Sequence, residues 1–110
     1  MSEFMTVALS VSFQSRNTFS IACDADYASG CTNLGKMHEM GLGTHKDAQK
    51  AVWFYQEACM MHDAESCAQL GSLYESGRGV LQDKALASRH YKNGCDSGDA
   101  RSCRSWMALL

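Results

Sequence analysis

Six cysteines form the one set of residues whose spacing is regular enough to imply chemistry. Cys23, Cys31, Cys59, Cys67, Cys95 and Cys103 make pairs eight apart, and each series recurs every 36 residues. Thiolates at C-x2-C spacing would hold a tetrahedral metal, whereas an even number of cysteines in a short chain suits a disulfide framework. No C-x2-C occurs. Disulfides are therefore the expected state and no metal is expected. Reduced, buried thiols stay open, and so do all fifteen ways of pairing six cysteines. Bridged cysteines leave no thiol nucleophile.

Other catalytic sets are missing from the sequence. There is no S-x-x-K, S-D-N, K-T-G or G-x-S-x-G, the local signatures of serine acyl transfer. His38, His45, His62 and His90 show no H-E-x-x-H spacing. His38 lies in register with Tyr74, and His90 precedes Tyr91, so both read as packed helix residues. His45 and His62 fall near turns and read as solvated. Asp24, Asp26, Asp63, Asp96 and Asp99 gather between helices, where caps and turns use them. The expectation is a non-enzymatic chain without a cofactor.

Positioning these residues requires a repeated unit, since a fixed period of 20–50 residues marks a solenoid or array. Residues 21–56 laid over 57–92 match at Ala22/Ala58, Cys23/Cys59, Ala28/Ala64, Cys31/Cys67, Leu34/Leu70 and Gly35/Gly71. They match again at Glu39/Glu75, Gly41/Gly77, Gly43/Gly79, Asp47/Asp83, Ala51/Ala87 and Tyr55/Tyr91. Nearly all are small or apolar residues, as close packing between elements demands.

Each unit reads as two helices. The first spans about Ala28 to Met40, with Ala28, Cys31, Leu34, Gly35 and His38 at the spacing of a buried stripe. Gly35 costs about 1 kcal/mol relative to Ala in a helix, and its return at Gly71 predicts a close helix crossing. Gly41-Leu42-Gly43 and Gly77-Arg78-Gly79 end these helices in the left-handed conformation. The second helix opens at the N-cap Asp47 and runs to about Met60, burying Ala48, Ala51, Val52, Tyr55 and Ala58. Asp83 starts its equivalent, with Leu86, Ala87, His90 and Tyr91 inward. Arg101 to Leu110 is a last first-type helix, where Trp106 takes the Leu34/Leu70 position and Met107, Leu109 and Leu110 give apolar cover. Trp53, Met60 and Met61 read as core, with an interface as the alternative.

Residues 1–20 form a separate N-terminal segment. Met-Ser-Glu-Phe ahead of Met5 resembles a tag scar. Val7, Leu9, Val11 and Phe13 alternate as in a strand, which either pairs with a second copy to form a homodimer or is a frayed or helical cap. Phe19 shares the register of Tyr55, so residues 14–24 read as a degenerate second helix. No Lys or Arg precedes the mildly apolar residues 6–13, so a signal peptide is not evident.

Apolar residues make up 45% and charged residues 20% of the 110, with a net charge of −2. That fits one folded domain at 21–110 and offers nothing to nucleic acid. No apolar run reaches the length of a membrane span.

The pattern carried by Ala28, Leu34, Gly35, Gly41, Gly43, Asp47, Ala51, Tyr55 and Ala58, repeated one period on, resembles the Sel-one-like repeat of the tetratricopeptide superfamily. The C-x7-C pairs resemble its cysteine-rich, Hcp-type branch. The resemblance implies an all-α, right-handed superhelix of antiparallel helix pairs. It also implies bridges 23–31, 59–67 and 95–103, each closing a nine-residue loop worth roughly 2.5 kcal/mol on the chain-entropy argument. With the bridges formed, a periplasmic or secreted location follows; with six free thiols, a cytoplasmic adaptor does.

Family members act mostly as adaptors for proteins or peptides, and some cysteine-rich ones are described as penicillin-binding or β-lactamase-like. By analogy the first helices line the concave face, which would present Thr32, Asn33, Lys36 and Met40, then Gln69, Ser72 and Ser76, then Ser105. Asn33, Lys36, Gln69 and Ser72 are the candidate partner contacts, amides and hydroxyls for a peptide backbone and Lys36 for a carboxylate.

Overall fold

The computed structural model describes residues 19–110 of the chain. The strand and tag expected in residues 1–13 lie outside them. Helical turns at 19–24 lead into five helices: α1 Ala28–Met40, α2 Ala48–Met60, α3 Ala64–Ser76, α4 Lys84–Asp96 and α5 Ala100–Ala108. No strand occurs among the described residues. The architecture is the all-α superhelix of antiparallel pairs, with α1/α2 and α3/α4 as complete units and α5 opening a third.

The caps work as the sequence anticipates. Asp47 accepts from the Lys50 amide at 3.1 Å and Asp83 from the Leu86 amide at 3.0 Å. These bonds satisfy amides the first helical turn leaves unpaired. Asp47→Ala should therefore cost about 1 kcal/mol, measurable by urea unfolding. Asp47→Asn, which keeps an acceptor for the same amide, should cost little. Gly41 and Gly77 close α1 and α3 at φ 73°, a conformation that side chains with a Cβ resist.

The helix pairs are locked by one repeated device. A Cβ on Gly35 would sit 2.6 Å from the Tyr55 ring, and one on Gly71 2.8 Å from the Tyr91 ring. Each glycine lets a tyrosine from the second helix lie flat across the first. The ring reaches over to donate its hydroxyl proton to a carboxylate there: Tyr55 to Glu39 at 2.8 Å and Tyr91 to Glu75 at 2.9 Å. Around Tyr55 the core gathers Ala51, Val52, Cys59, Cys67, Leu70 and Leu73, spanning the boundary between the two units.

Beside each tyrosine lies a stacked ring pair whose members are exchanged between repeats. His38 stacks on Phe54 at 5.3 Å in the first, and Tyr74 on His90 at 5.4 Å in the second. Positions 38 and 74 are in register, as are 54 and 90, so the fold asks for a flat ring at each site and is indifferent to which one.

Three expectations about burial are corrected. Trp53 and Met60 are more than half exposed, because the second helices turn their outer faces to solvent. Met107 and Leu110 are exposed as well. They are in register with Gly71 and Tyr74, which α4 covers; no helix follows α5 among the described residues to do the same. Thr32 is buried instead of facing a groove, because Asp63 and Ser66 at the start of α3 close over it.

Candidate partner-binding site

Disulfides Cys23–Cys31, Cys59–Cys67 and Cys95–Cys103 join the end of each second-type helix to the start of the next first-type helix. Their Cα atoms lie 4.5–4.7 Å apart. So short a separation needs small neighbours: a Cβ on Gly30 would meet Ala22 at 2.7 Å, and one on Gly94 would meet Ser102 Oγ at 2.5 Å. The bridges thus fix the spacing of successive first helices α1, α3 and α5, and these three set the geometry of the candidate face.

The α1–α3 junction is filled. Thr32 gives its hydroxyl to Asp63 and meets Ser66 Oγ at 2.6 Å. Asp63 also takes the Ser66 amide at 3.2 Å, and the Ser66 hydroxyl, 2.9 Å from Asp63, closes the triangle by donating either to it or to Thr32. A polar residue on the exposed-looking side of α1 is therefore buried as a link to the cap of α3. Across the same junction Lys36 pairs with Glu65 at 2.5 Å. Asp63→Ala removes three acceptor contacts at a half-buried position and should cost about 1–3 kcal/mol, read as a lower urea midpoint at unchanged m-value.

The α3–α5 junction is open. A depression of about 200 Å³ is lined by Glu65, Ala68, Gln69, Ser72, Arg101 and Ser105, with Tyr91 and Ser102 beneath. Ser102 gives its hydroxyl to Asp99 at 2.7 Å, and this bond is the main reason the Asp99 carboxyl titrates below its usual range. Arg101 is largely exposed, and its Nε lies 3.9 Å from Asp99 Oδ1.

Of the four residues expected to bind a partner, Gln69 and Ser72 are brought together here, along with Ser105. Asn33 and Lys36 are not. Asn33 donates to the Ser29 carbonyl of its own helix at 2.8 Å, and Lys36 is held by Glu65. Ser76 bonds the Ser72 carbonyl at 2.8 Å, and Met40 stays exposed away from the depression. Arg101 was missed by sequence reasoning. Its register partner Glu65 has the opposite charge, and that sign change was the available signal.

His90 offers a test of the packing behind this face. Its Nδ1 is buried without a protein hydrogen-bond partner. Burial, and then the nearby Arg89 charge, hold its pKa below the ordinary imidazole value. The neutral ring is favoured in the fold, so its contribution is full above the unfolded value of about 6.5 and is lost as pH falls below that. Tyr91 behaves oppositely at high pH: burial and the bond to Glu75 push it up to about 12. Its contribution is full below about 10 and fades as pH rises beyond it. Melting temperature should therefore be flat between roughly pH 7 and 9.5 and drop on both sides. His90→Phe should flatten the acid limb below about pH 6.5; an unchanged limb would assign it to other groups.

Among the described residues no helix is long and apolar enough to cross a membrane, and no group of three potential ligands could hold a metal ion. A sequence model of the Sel1 repeat matches residues 28–63 and 64–99. No curated protein sequence matches the chain. Among solved structures, Helicobacter pylori cysteine rich protein B (hcpB) superposes with a TM-score of 0.78 at 22% identity, over 93% of this chain and 91% of that one. A Sel1 repeat protein from Oxalobacter formigenes gives 0.80 at 24% identity, over 86% of this chain and 39% of its own length. The protein c5321, a protective antigen present in uropathogenic Escherichia coli strains and displaying an SLR fold, gives 0.85 at 26% identity. There 89% of this chain covers 21% of the longer protein.

Proposed function

Since the chain belongs to the Sel1 repeat family, we propose that it works as a non-enzymatic interaction module. It would hold a protein or peptide partner on the face lined by α1, α3 and α5. The observation that carries this reading is the open depression at the α3–α5 junction, which gathers Gln69, Ser72 and Ser105. A surface serving only stability would be expected to close there as the α1–α3 junction does. Amide and hydroxyl groups at these positions suit the backbone of an extended segment. The three disulfides support an extracytoplasmic working location, periplasmic or secreted, because such bridges persist in oxidising compartments.

Site-specific photo-crosslinking tests the reading. A photoreactive residue at Gln69 or Ser105 should give one discrete adduct with a protein in the source cells, and the same residue at Trp53, on an outward helix face, should not. Adducts formed equally from Trp53 would count against this face as the binding surface.

A further inference from the structure

We propose that the depression between α3 and α5 is an acid-reading pocket, built to take a Glu or Asp side chain of an extended protein segment and pair it with Arg101. The inference deepens the interaction reading above and rests on it. Its basis is a difference between two junctions that the 36-residue period makes equivalent.

In the first junction, position 36 of α1 faces position 65 of α3, and Lys36 meets Glu65 there. One period later the facing positions are 72 and 101, now Ser72 and Arg101. The lysine position has lost its charge, the position opposite has changed from acid to base, and Ser72 has no charge to pair with it. Two neighbouring positions have shrunk as well: Thr32 becomes Ala68, and Gln69 becomes Ser105. The space left, about 200 Å³, equals the volume of about seven water molecules in the liquid. That is room enough for a carboxylate side chain with a water or two.

The charges around the space fix the sign of the ligand. Glu65 is neutralised by Lys36. The Tyr91 hydroxyl is committed to Glu75. Among the described residues Arg101 forms an ion pair only with Asp99, a long contact of 3.9 Å through Nε, so its guanidinium keeps donors for a further carboxylate although Glu65 lines the same depression. A guanidinium offers paired donors in a plane that matches a carboxylate. The ligand would thus supply from outside the anion that Glu65 supplies internally one repeat earlier. Gln69 and Ser105 would hold the flanking backbone, beside Ser72, whose hydroxyl bonds Tyr91.

The test uses the oxidised full chain, labelled for NMR, titrated with three peptides. They are a blocked Gly-Ser-Glu-Glu-Ser-Gly, its Gln-Gln counterpart, and that Gln-Gln peptide with a free C-terminal carboxylate. The blocked Glu peptide should shift the Arg101 Nε–Hε signal with a millimolar Kd that weakens with salt, and the blocked Gln peptide should bind at least tenfold more weakly. Arg101→Ala should abolish the difference between them. Ser72→Glu should abolish it too, by placing the carboxylate within the chain, while leaving the helical circular dichroism intact. Equal binding of the Glu and Gln peptides, or Glu binding that survives both substitutions, overturns the proposal. Preference for the free C-terminus overturns the side-chain assignment. Position-specific crosslinks at Gln69 that persist in Arg101→Ala would leave the interaction reading standing and remove this one alone.

Discussion

Replacing Cys59 and Cys67 together by alanine should lower unfolding stability by about 2–5 kcal/mol and bring the chain close to unfolding at 37 °C. The Cys59–Cys67 bridge lies in the middle of the described core, with Cys59 and Cys67 themselves buried against Tyr55, Leu70 and Leu73. Its removal costs more than the loop entropy of nine residues because the two side chains also pack. The same exchange at Cys95 and Cys103, nearer one end of the array and more exposed, should cost less. Guanidinium unfolding of the two variants beside the parent would show the order. Equal losses would mean that loop closure alone sets the value and that packing around the central bridge adds nothing.

The second large effect should come from the ring that crosses each helix pair. Tyr55→Ala should cost about 3–5 kcal/mol, the usual range for truncating a buried aromatic; Tyr55 is fully buried and Glu39 would lose its donor. Gly35→Ala should cost about 1–3 kcal/mol by forcing a methyl group into that ring, despite alanine being the better helix former. The decisive measurement is the pair. Once Tyr55 is alanine, the crowding at 35 is gone, and Gly35→Ala should become stabilising by about 0.5–1 kcal/mol. Additive losses would show that Gly35 answers to some constraint other than the tyrosine ring.

That reversal depends on a contact the sequence half reveals. The return of glycine at 35 and 71 forecasts a close crossing, because a helix keeps a glycine only where something must come near. It does not say what comes near, since a tyrosine sixteen or twenty residues away is tied to its glutamate only in three dimensions. Helix limits and caps were legible for a simpler reason: Asp, Gly and the apolar period act locally, and local rules repeat when the sequence does. The errors fall where a residue's fate is settled by the neighbouring repeat. Thr32 looks like a surface residue until Asp63 and Ser66 arrive beside it. Trp53 and Met60 look like core until the outward faces of the second helices are left without a covering layer. The open junction was invisible for the same reason. Nothing in Ala68, Ser72 or Ser105 alone marks a pocket, and only their comparison with Thr32, Lys36 and Gln69 across the period does.

The bridges have a mechanical consequence. Each one joins neighbouring units across their boundary instead of closing a unit on itself, so a pull along the chain runs through sulfur at every boundary and bypasses the corner segment between the two cysteines. From Cys31 to Cys59, the stretch between consecutive bridges, an unravelled unit can pay out only the two helices and their loop. That is about 28 residue steps, roughly 95 Å at full extension. A cut in the corner at residues 60–66 would leave both pieces linked, whereas a cut in the loop at 41–47 would not. The chain is held together as links are, strong at the joints and severable between them.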